Sequence, residues 1–231
     1  MSDLSLSGPE TETDASVDRR ILVAAKSLIS RKGPIATTVR DISDASNTNV
    51  AAVNYYFGSK DALVRQILMD IIGPPNVRRK QMLHAAQERF DGHPMPLPVI
   101  LDALMRPLVE CERDSDGGRF FVRVEQHLRA TPESEYTRFV ADHFDGYAQV
   151  FFDAMRATLP HLSRSEIILR YEFVRGAALH VLVNCDPQSS KIATLARGES
   201  MLNADDNEAV LLMIVALSLN GLGAPSFTTV R

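Results

Sequence analysis

The sequence predicts an all-α chain, and three observations carry that expectation. Apolar residues recur at helical spacing from Ile21 to Leu219, and the intervals between those stretches hold Gly, Pro, Asn or capping residues. Neither the strict alternation of a half-buried strand nor an internal repeat occurs. At 231 residues and 25.5 kDa there is room for a small domain joined to a larger one.

Residues 1–16, MSDLSLSGPETETDAS, are Ser, Thr, Asp, Glu, Gly and Pro with two leucines, which predicts a disordered acidic arm. From Val17, Ile21, Leu22, Ala24, Ala25, Leu28 and Ile29 share one stripe, Arg31 and Lys32 fall in the last turn, and Gly33 stands where a left-handed cap belongs. The stretch TTVRDISDAS offers Thr38 as N-cap and Asp41 as its capping-box partner, and should bury Val39, Ile42 and Ala45. Asn47 suits a left-handed turn residue. Asn49 then caps a short third helix, 50–56, that buries Val50 and Val53 and leaves Ala51, Ala52, Asn54, Tyr55 and Tyr56 more exposed. Ser59 caps a fourth, about 60–72, which Gly73-Pro74-Pro75 should end. Further helices are expected near 76–90, 97–112, 118–130, 133–158, 163–184 and 205–220, with a loop at 185–204 that holds one short helix.

Charge is distributed unevenly over these parts. The arm has four acids and no base, residues 17–80 carry 11 Lys and Arg against 5 Asp and Glu, and the remainder carries 14 against 20. A basic segment within a chain of net charge −4 points to an anionic partner for that segment alone. Cys111 and Cys185 have neither redox nor metal-ligand spacing and read as free buried thiols. The six histidines, His84, His93, His127, His143, His161 and His180, form no metal-binding set, and no nucleophile or phosphate-loop motif occurs, so neither enzyme activity nor a cofactor is expected. The absence of a long apolar run and of a signal pattern predicts a cytoplasmic protein with no membrane partner.

Two helices joined by a short turn, packed on a first and followed by a fourth, describe a helix-turn-helix domain. The second of the pair would enter the major groove, where Ala51 and Ala52 let the backbone approach and Asn54 offers an amide to adenine. Thr38, Arg40, Tyr55, Tyr56 and Lys60 are candidates for the phosphates, and Asn49 completes the set at the start of that helix. Each also has a plainer reading, the tyrosines as bundle packing and Lys60 as a solvated charge.

The stretch ATTVRDISDASNTNVAAVNYYFGSKDAL resembles the DNA-binding domain of the TetR family of bacterial transcriptional regulators. The resemblance implies an all-helical homodimer on double-stranded operator DNA, most often a repressor released by a small effector held in the C-terminal domain. This chain departs from the family's Ala-Gly-Val turn with Ser46-Asn47-Thr48, which puts a hydroxyl where an apolar residue would anchor the turn. The implied domains are 17–66 for DNA and 67–231 for ligand and dimer.

In the C-terminal part Leu104, Leu108, Phe121, Phe144, Tyr147 and Phe151 are candidates for an apolar ligand pocket between helices. Arg175 and His180 are candidates for its polar end, although Arg175 can equally pair with Glu172 or Glu125 or cross a dimer interface. The segments ILMDIIGPP, ALMRPLVE and FVRGAAL resemble the fatty-acid-responsive PsrA-like branch, which implies a fatty acid or acyl thioester as effector. The last two long helices are the expected dimer surface, setting two recognition helices about 34 Å apart. A helical carrier of apolar ligands without DNA binding is the alternative from another class.

Overall fold

The computed structural model describes residues 10–189, 191–197, 203 and 205–226, with side chains from residue 17 onward. Among these residues there are helices and no strand, only an isolated antiparallel bridge between Arg113 and Arg119. The helices are α1 (Glu10–Lys32), α2 (Val39–Ser46), α3 (Val50–Phe57), α4 (Lys60–Arg89), α5 (Leu97–Val109), α6 (Phe120–Ala130), α7 (Glu135–Thr158), α8 (Arg164–Asn184), α9 (Lys191–Leu195) and α10 (Asn207–Leu222). The chain divides into two compact units between Asp70 and Ile71. No helix among the described residues is long and apolar enough to cross a membrane.

In the first unit α1, α2 and α3 pack together around Ile21, Ala25, Ile29, Ile42 and Val53, joined by Leu63, Val64, Ile67 and Leu68 of α4, all fully or almost fully buried. The local signals behave as their chemistry demands. Gly33 takes φ 85° and donates its N–H to the Ile29 carbonyl at 2.9 Å, closing α1. Thr38 caps α2 with a complete capping box: its hydroxyl accepts from the Asp41 N–H at 3.0 Å, and Asp41 accepts from the Thr38 N–H at 2.9 Å. Lys32 adds an ion pair to Asp41 at 2.9 Å. The Thr38 N–H, the Lys32 ammonium and the Thr38 hydroxyl hold the Asp41 carboxyl down, at about 2.

Three expectations for this unit need correction. α1 begins at Glu10, seven residues before the expected start, so 10–16 of the expected disordered arm are helical, while 1–9 lie outside the described residues. The acids of ETETD, taken as a sign of disorder, also suit the positive end of a helix. In α2 the buried partners of Ile42 are Ser43 and Ser46 rather than Ala45, which is exposed. The Ser46 hydroxyl donates to the Ile42 carbonyl at 2.8 Å, so burying it leaves no orphaned donor. Val50 is exposed as the first residue of α3, and only Val53 of that helix is buried.

The second unit starts within α4, which runs on through Pro74 and Pro75 where a break was expected. Both prolines lack the N–H that a helix interior uses. Burial compensates: Ile71, Ile72, Leu83 and Ala86 are in the core on either side, and Asn76 donates its side-chain amide to the Ile72 carbonyl at 2.9 Å. Around this segment α5, α6, α7, α8 and α10 build the larger core, with α10 packed on α5 and α8. Cys111 and Cys185 are free and half-buried, and burial pushes the Cys111 thiol up to about 11.

Arginines tie the loops of this unit to its helices. Arg123 on α6 grips Asp186 at the end of α8 bidentately, at 2.7 and 2.8 Å, and also reaches Asp114 at 3.4 Å and Asp116 at 3.0 Å. Arg119 donates to the Val109 carbonyl at 2.7 Å and to Asn207 at 2.9 Å, linking the α5–α6 loop to α10. Arg170 donates to the carbonyls of Leu222 and Pro225 at 2.8 and 2.6 Å, holding the end of α10.

Two predictions follow from these contacts. A Cβ on Gly118 would stand 2.0 Å from Nη2 of Arg123, so Gly118→Ala must displace the guanidinium from its carboxylates. The expected loss is about 3 kcal/mol of unfolding free energy, read by chemical denaturation, because a buried cation is then left poorly paired. Asp41, with its pKa lowered on folding, stabilises above the ordinary carboxylate value near 4 and loses that contribution as pH falls through about 2. Wild type should therefore exceed Asp41→Asn in helix stability at neutral pH, and the difference should close between about pH 4 and pH 2 in an acid titration followed by circular dichroism.

Candidate functional site

α3 leaves one face unused by the core, and both of its ends are fixed. Asn49 accepts from the Ala52 N–H at 2.8 Å, and Gly58, at φ 74°, donates its N–H to the Asn54 carbonyl at 2.8 Å. The turn into α3 is set by Asn47 in the left-handed region, φ 52° and ψ 50°, and by the Thr48 N–H on the Ser43 carbonyl at 2.9 Å. The hydroxyl of Thr48, which the sequence sets against an apolar norm, meets the Ser46 hydroxyl at 2.7 Å. The two hydroxyl-bearing departures from the Ala-Gly-Val turn thus satisfy each other.

On the free face Ala51, Asn54 and Tyr55 are exposed, Tyr55 to 79%, while Ala52 and Tyr56 are half-buried. The rings of Tyr55 and Tyr56 meet edge to face at 5.1 Å, and Tyr56 leans on Phe57 at 6.5 Å. The Asn54 amide and the Tyr55 hydroxyl have no polar partner among the described residues, which leaves both for an external one. Arg40 is exposed without an ion pair, and Thr38 is exposed with its hydroxyl engaged in the α2 cap. Lys60, half-buried rather than a fully solvated charge, donates its ammonium to the Ile35 carbonyl at 3.2 Å and so braces the α1–α2 loop. Ser59 caps α4 by accepting from the Ala62 N–H at 3.1 Å.

The second unit holds a cavity of about 430 Å³ walled by α4, α5, α6, α7 and α8. Of the eight residues expected at a ligand site, Leu104, Phe121, Phe144, Tyr147, Phe151 and Arg175 line it. Leu108 does not: one turn beyond Leu104, it is fully buried and off the cavity wall. Nor does His180, which is exposed beside a separate groove with Val122, Gly176 and Leu179. Five residues carry the helix roughly 140° around its axis, so Arg175 and His180 cannot share a face.

Arg175 pairs with Glu125 and, at 3.7 Å, with Glu172. Arg129 reaches the same two carboxylates at 3.3 and 3.9 Å, so these four groups form one neutral cluster on the wall. Sequence reasoning missed Asn76, Arg79, Glu125 and Arg129 as wall residues. Arg79 is the most unexpected, because Arg78, Arg79 and Lys80 stand in a row with no local sign of which is buried. Arg79 is only 5% exposed, donates to the Leu104 carbonyl at 2.8 Å and to Asn76 at 3.0 Å, and lies against the Phe121 ring at 5.8 Å. Burial lowers its pKa to about 10, which keeps it charged at neutral pH. Among the described residues no group of His, Cys, Asp and Glu is arranged to hold a metal ion.

Comparison with known proteins bears on both units. Residues 21–67 match the family described as bacterial regulatory proteins, tetR family, and residues 102–203 match the tetracyclin repressor-like C-terminal domain. An HTH-type transcriptional repressor of Mycobacterium tuberculosis and an HTH-type transcriptional regulator of Mycobacterium bovis are each 46% identical over 48 residues, 21% of this chain. The chain spans about a quarter of the length of these curated relatives, 26%. Among solved structures, transcriptional regulatory protein RHA5900 is similar with a TM-score of 0.58 and 19% identity over 90% of this chain and 99% of that one. A transcriptional regulator of Pseudomonas aeruginosa PAO1 gives 0.52 and 16% over 97% of each chain. At these identities the structures speak for the fold alone. The two domain matches name the same kind of protein on either side of α4, and the chain belongs to the TetR family of bacterial transcriptional regulators.

Proposed function

We propose that this chain acts in the cytoplasm as a homodimeric repressor that reads a palindromic operator with α3 and leaves it when a small apolar effector fills the cavity of the second unit. The observation that carries the reading is the free face of α3. The helix is capped at both ends and buries Val53, and the face that presents Ala51, Asn54 and Tyr55 outward serves no core. In a major groove those residues have uses: small side chains for close approach, an amide for an adenine edge and a phenol for a phosphate. Arg40, exposed and unpaired, is the phosphate contact best placed to act without disturbing the fold.

The effector half rests on the cavity, whose wall combines aromatic and aliphatic side chains with Asn76 and the charged groups described above, a mixture that can hold an apolar ligand by a polar end. The resemblance of the C-terminal segments to the fatty-acid-responsive branch favours an acyl effector. Its binding need only favour one state of α4, the helix that contributes both Lys60 and Arg79, for the operator affinity to change.

The dimer half rests on exposed apolar side chains of the last two long helices. Leu169 and Phe173 of α8 and Leu212 and Leu217 of α10 are 60–75% exposed, with Phe173 at 75%. Four large apolar side chains in water on packed neighbours suit a four-helix interface across a two-fold axis.

Binding of the purified protein to its own upstream DNA and to random duplex, at two salt concentrations, tests the first half. Asn54→Ala should lose about tenfold in preference for the upstream DNA, the range of one good base contact. Arg40→Ala should weaken both duplexes alike and reduce the salt slope by about one. A wild type without preference at either salt would replace this reading with that of an apolar-ligand carrier. Phe173→Glu and Leu217→Glu should each shift the protein to monomer in light scattering and, through the lost second half-site, weaken operator binding by at least tenfold.

A further inference from the structure

The guanidinium of Arg79 poses a question that the fold leaves open. Its Nε and Nη1 are committed to the Leu104 carbonyl and to Asn76, which fixes the plane of the fork. Its Nη2, shielded from solvent, has no hydrogen-bond partner. A buried cation with an unmet donor is destabilising unless something else meets it.

The carboxylates of the cavity wall do not. Glu125 and Glu172 are held by Arg129 and Arg175, within the neutral cluster described above. Asp145, the remaining acid on the wall, is exposed and pairs with no described residue. Besides burial, which lowers the proton affinity of Arg79, Arg175 lowers it and Glu125 raises it, so these two members of the cluster act on Arg79 in opposite senses. Around Arg79 the wall has the apolar side chains of Ile72, Leu104, Phe121 and Phe151 together with Asn76 and Tyr171. A pinned guanidinium with one unmet donor beside such apolar side chains suits a ligand with one anionic head and an apolar tail. The planar fork suits a carboxylate, and an acyl thioester has none at that end of its chain.

We propose that the cavity takes a free monocarboxylate with an apolar tail and that Arg79, rather than Arg175, receives its carboxylate; this rests on the reading of the cavity as an effector site. The sequence draws attention to Arg175, but that residue already has two acids, and a ligand would have to displace them. Arg79 has no acid to displace, and a head group reaches its Nη2 once the side chains that cover it move aside. Its anchor lies on α4, so head-group binding acts on the same helix that begins at Lys60.

The test uses the full chain with decanoate and decanol, which share a tail and differ in the head, measured by titration calorimetry near neutral pH. Wild type should bind decanoate at least about tenfold tighter than decanol, the span of a hydrogen bond to a charged group. Arg79→Gln should abolish that preference while leaving decanol within twofold, Arg79→Lys should keep part of it, and Arg175→Gln should retain it. Decanoate labelled with carbon-13 at the carboxyl should, when bound to wild type, titrate below its free-solution value. This signature does not depend on any variant folding, and an unshifted titration overturns the proposal. Equal affinity for the two probes, or a preference kept by Arg79→Gln and lost by Arg175→Gln, overturns the anchor and leaves the cavity standing as an effector site. If neither probe binds, both readings fall.

Discussion

The continuity of α4 through Pro74 and Pro75 is the constraint on which the rest of this protein depends. Its first half gives Leu63, Val64, Ile67 and Leu68 to the core that fixes α2 and α3. Its second half gives Ile71, Ile72, Leu83 and Ala86 to the larger core and carries Asn76 and Arg79 to the cavity wall. Two consecutive prolines would end an exposed helix, where water competes for the freed carbonyls and nothing holds the axis. Here apolar burial on both sides outweighs the two backbone bonds missing at the Asp70 and Ile71 carbonyls.

Much of the first unit was legible in the sequence because its signals are local. Thr38 with Asp41, Asn47, Asn49 and Gly33 each act through bonds within a few residues of themselves, and each takes the place its chemistry predicts. The same holds for Ser163 and Glu166 at the start of α8. What the sequence hid depends on distant neighbours. Pro74 and Pro75 read as a break because no single segment shows the cores that override them. Arg78, Arg79 and Lys80 look alike in a row, and only the approach of α5 makes the middle one a buried residue. Leu108 and His180 were sensible candidates by type, yet their distance along the helix or around its axis takes them off the cavity wall.

The two units solve the problem of buried polarity differently. In the first, hydroxyls of Ser and Thr bond to carbonyls one turn away, so polar groups are buried without any long-range partner. In the second, arginines span the structure: Arg123 joins α6 to the end of α8, Arg119 joins the α5–α6 loop to α10, and Arg170 holds the chain after α10. Such staples define where loops sit while the helices between them keep a cavity open. They also explain why a glycine is needed at position 118, where the Arg123 guanidinium occupies the space of a side chain.

The hydroxyl pair in the α2–α3 turn makes the effect of a change at one of its positions depend on the residue at the other. Ser46 keeps a second acceptor in the Ile42 carbonyl, so its hydroxyl stays bonded whatever stands at position 48. Thr48 has only Ser46 as a side-chain partner. Replacing Thr48 by an aliphatic residue first and Ser46 by alanine second crosses no state with a stranded polar group, whereas the reverse order does. The two single variants are therefore not equivalent: Ser46→Ala alone is the more destabilising intermediate, and Thr48 couples to Ser46 rather than acting independently.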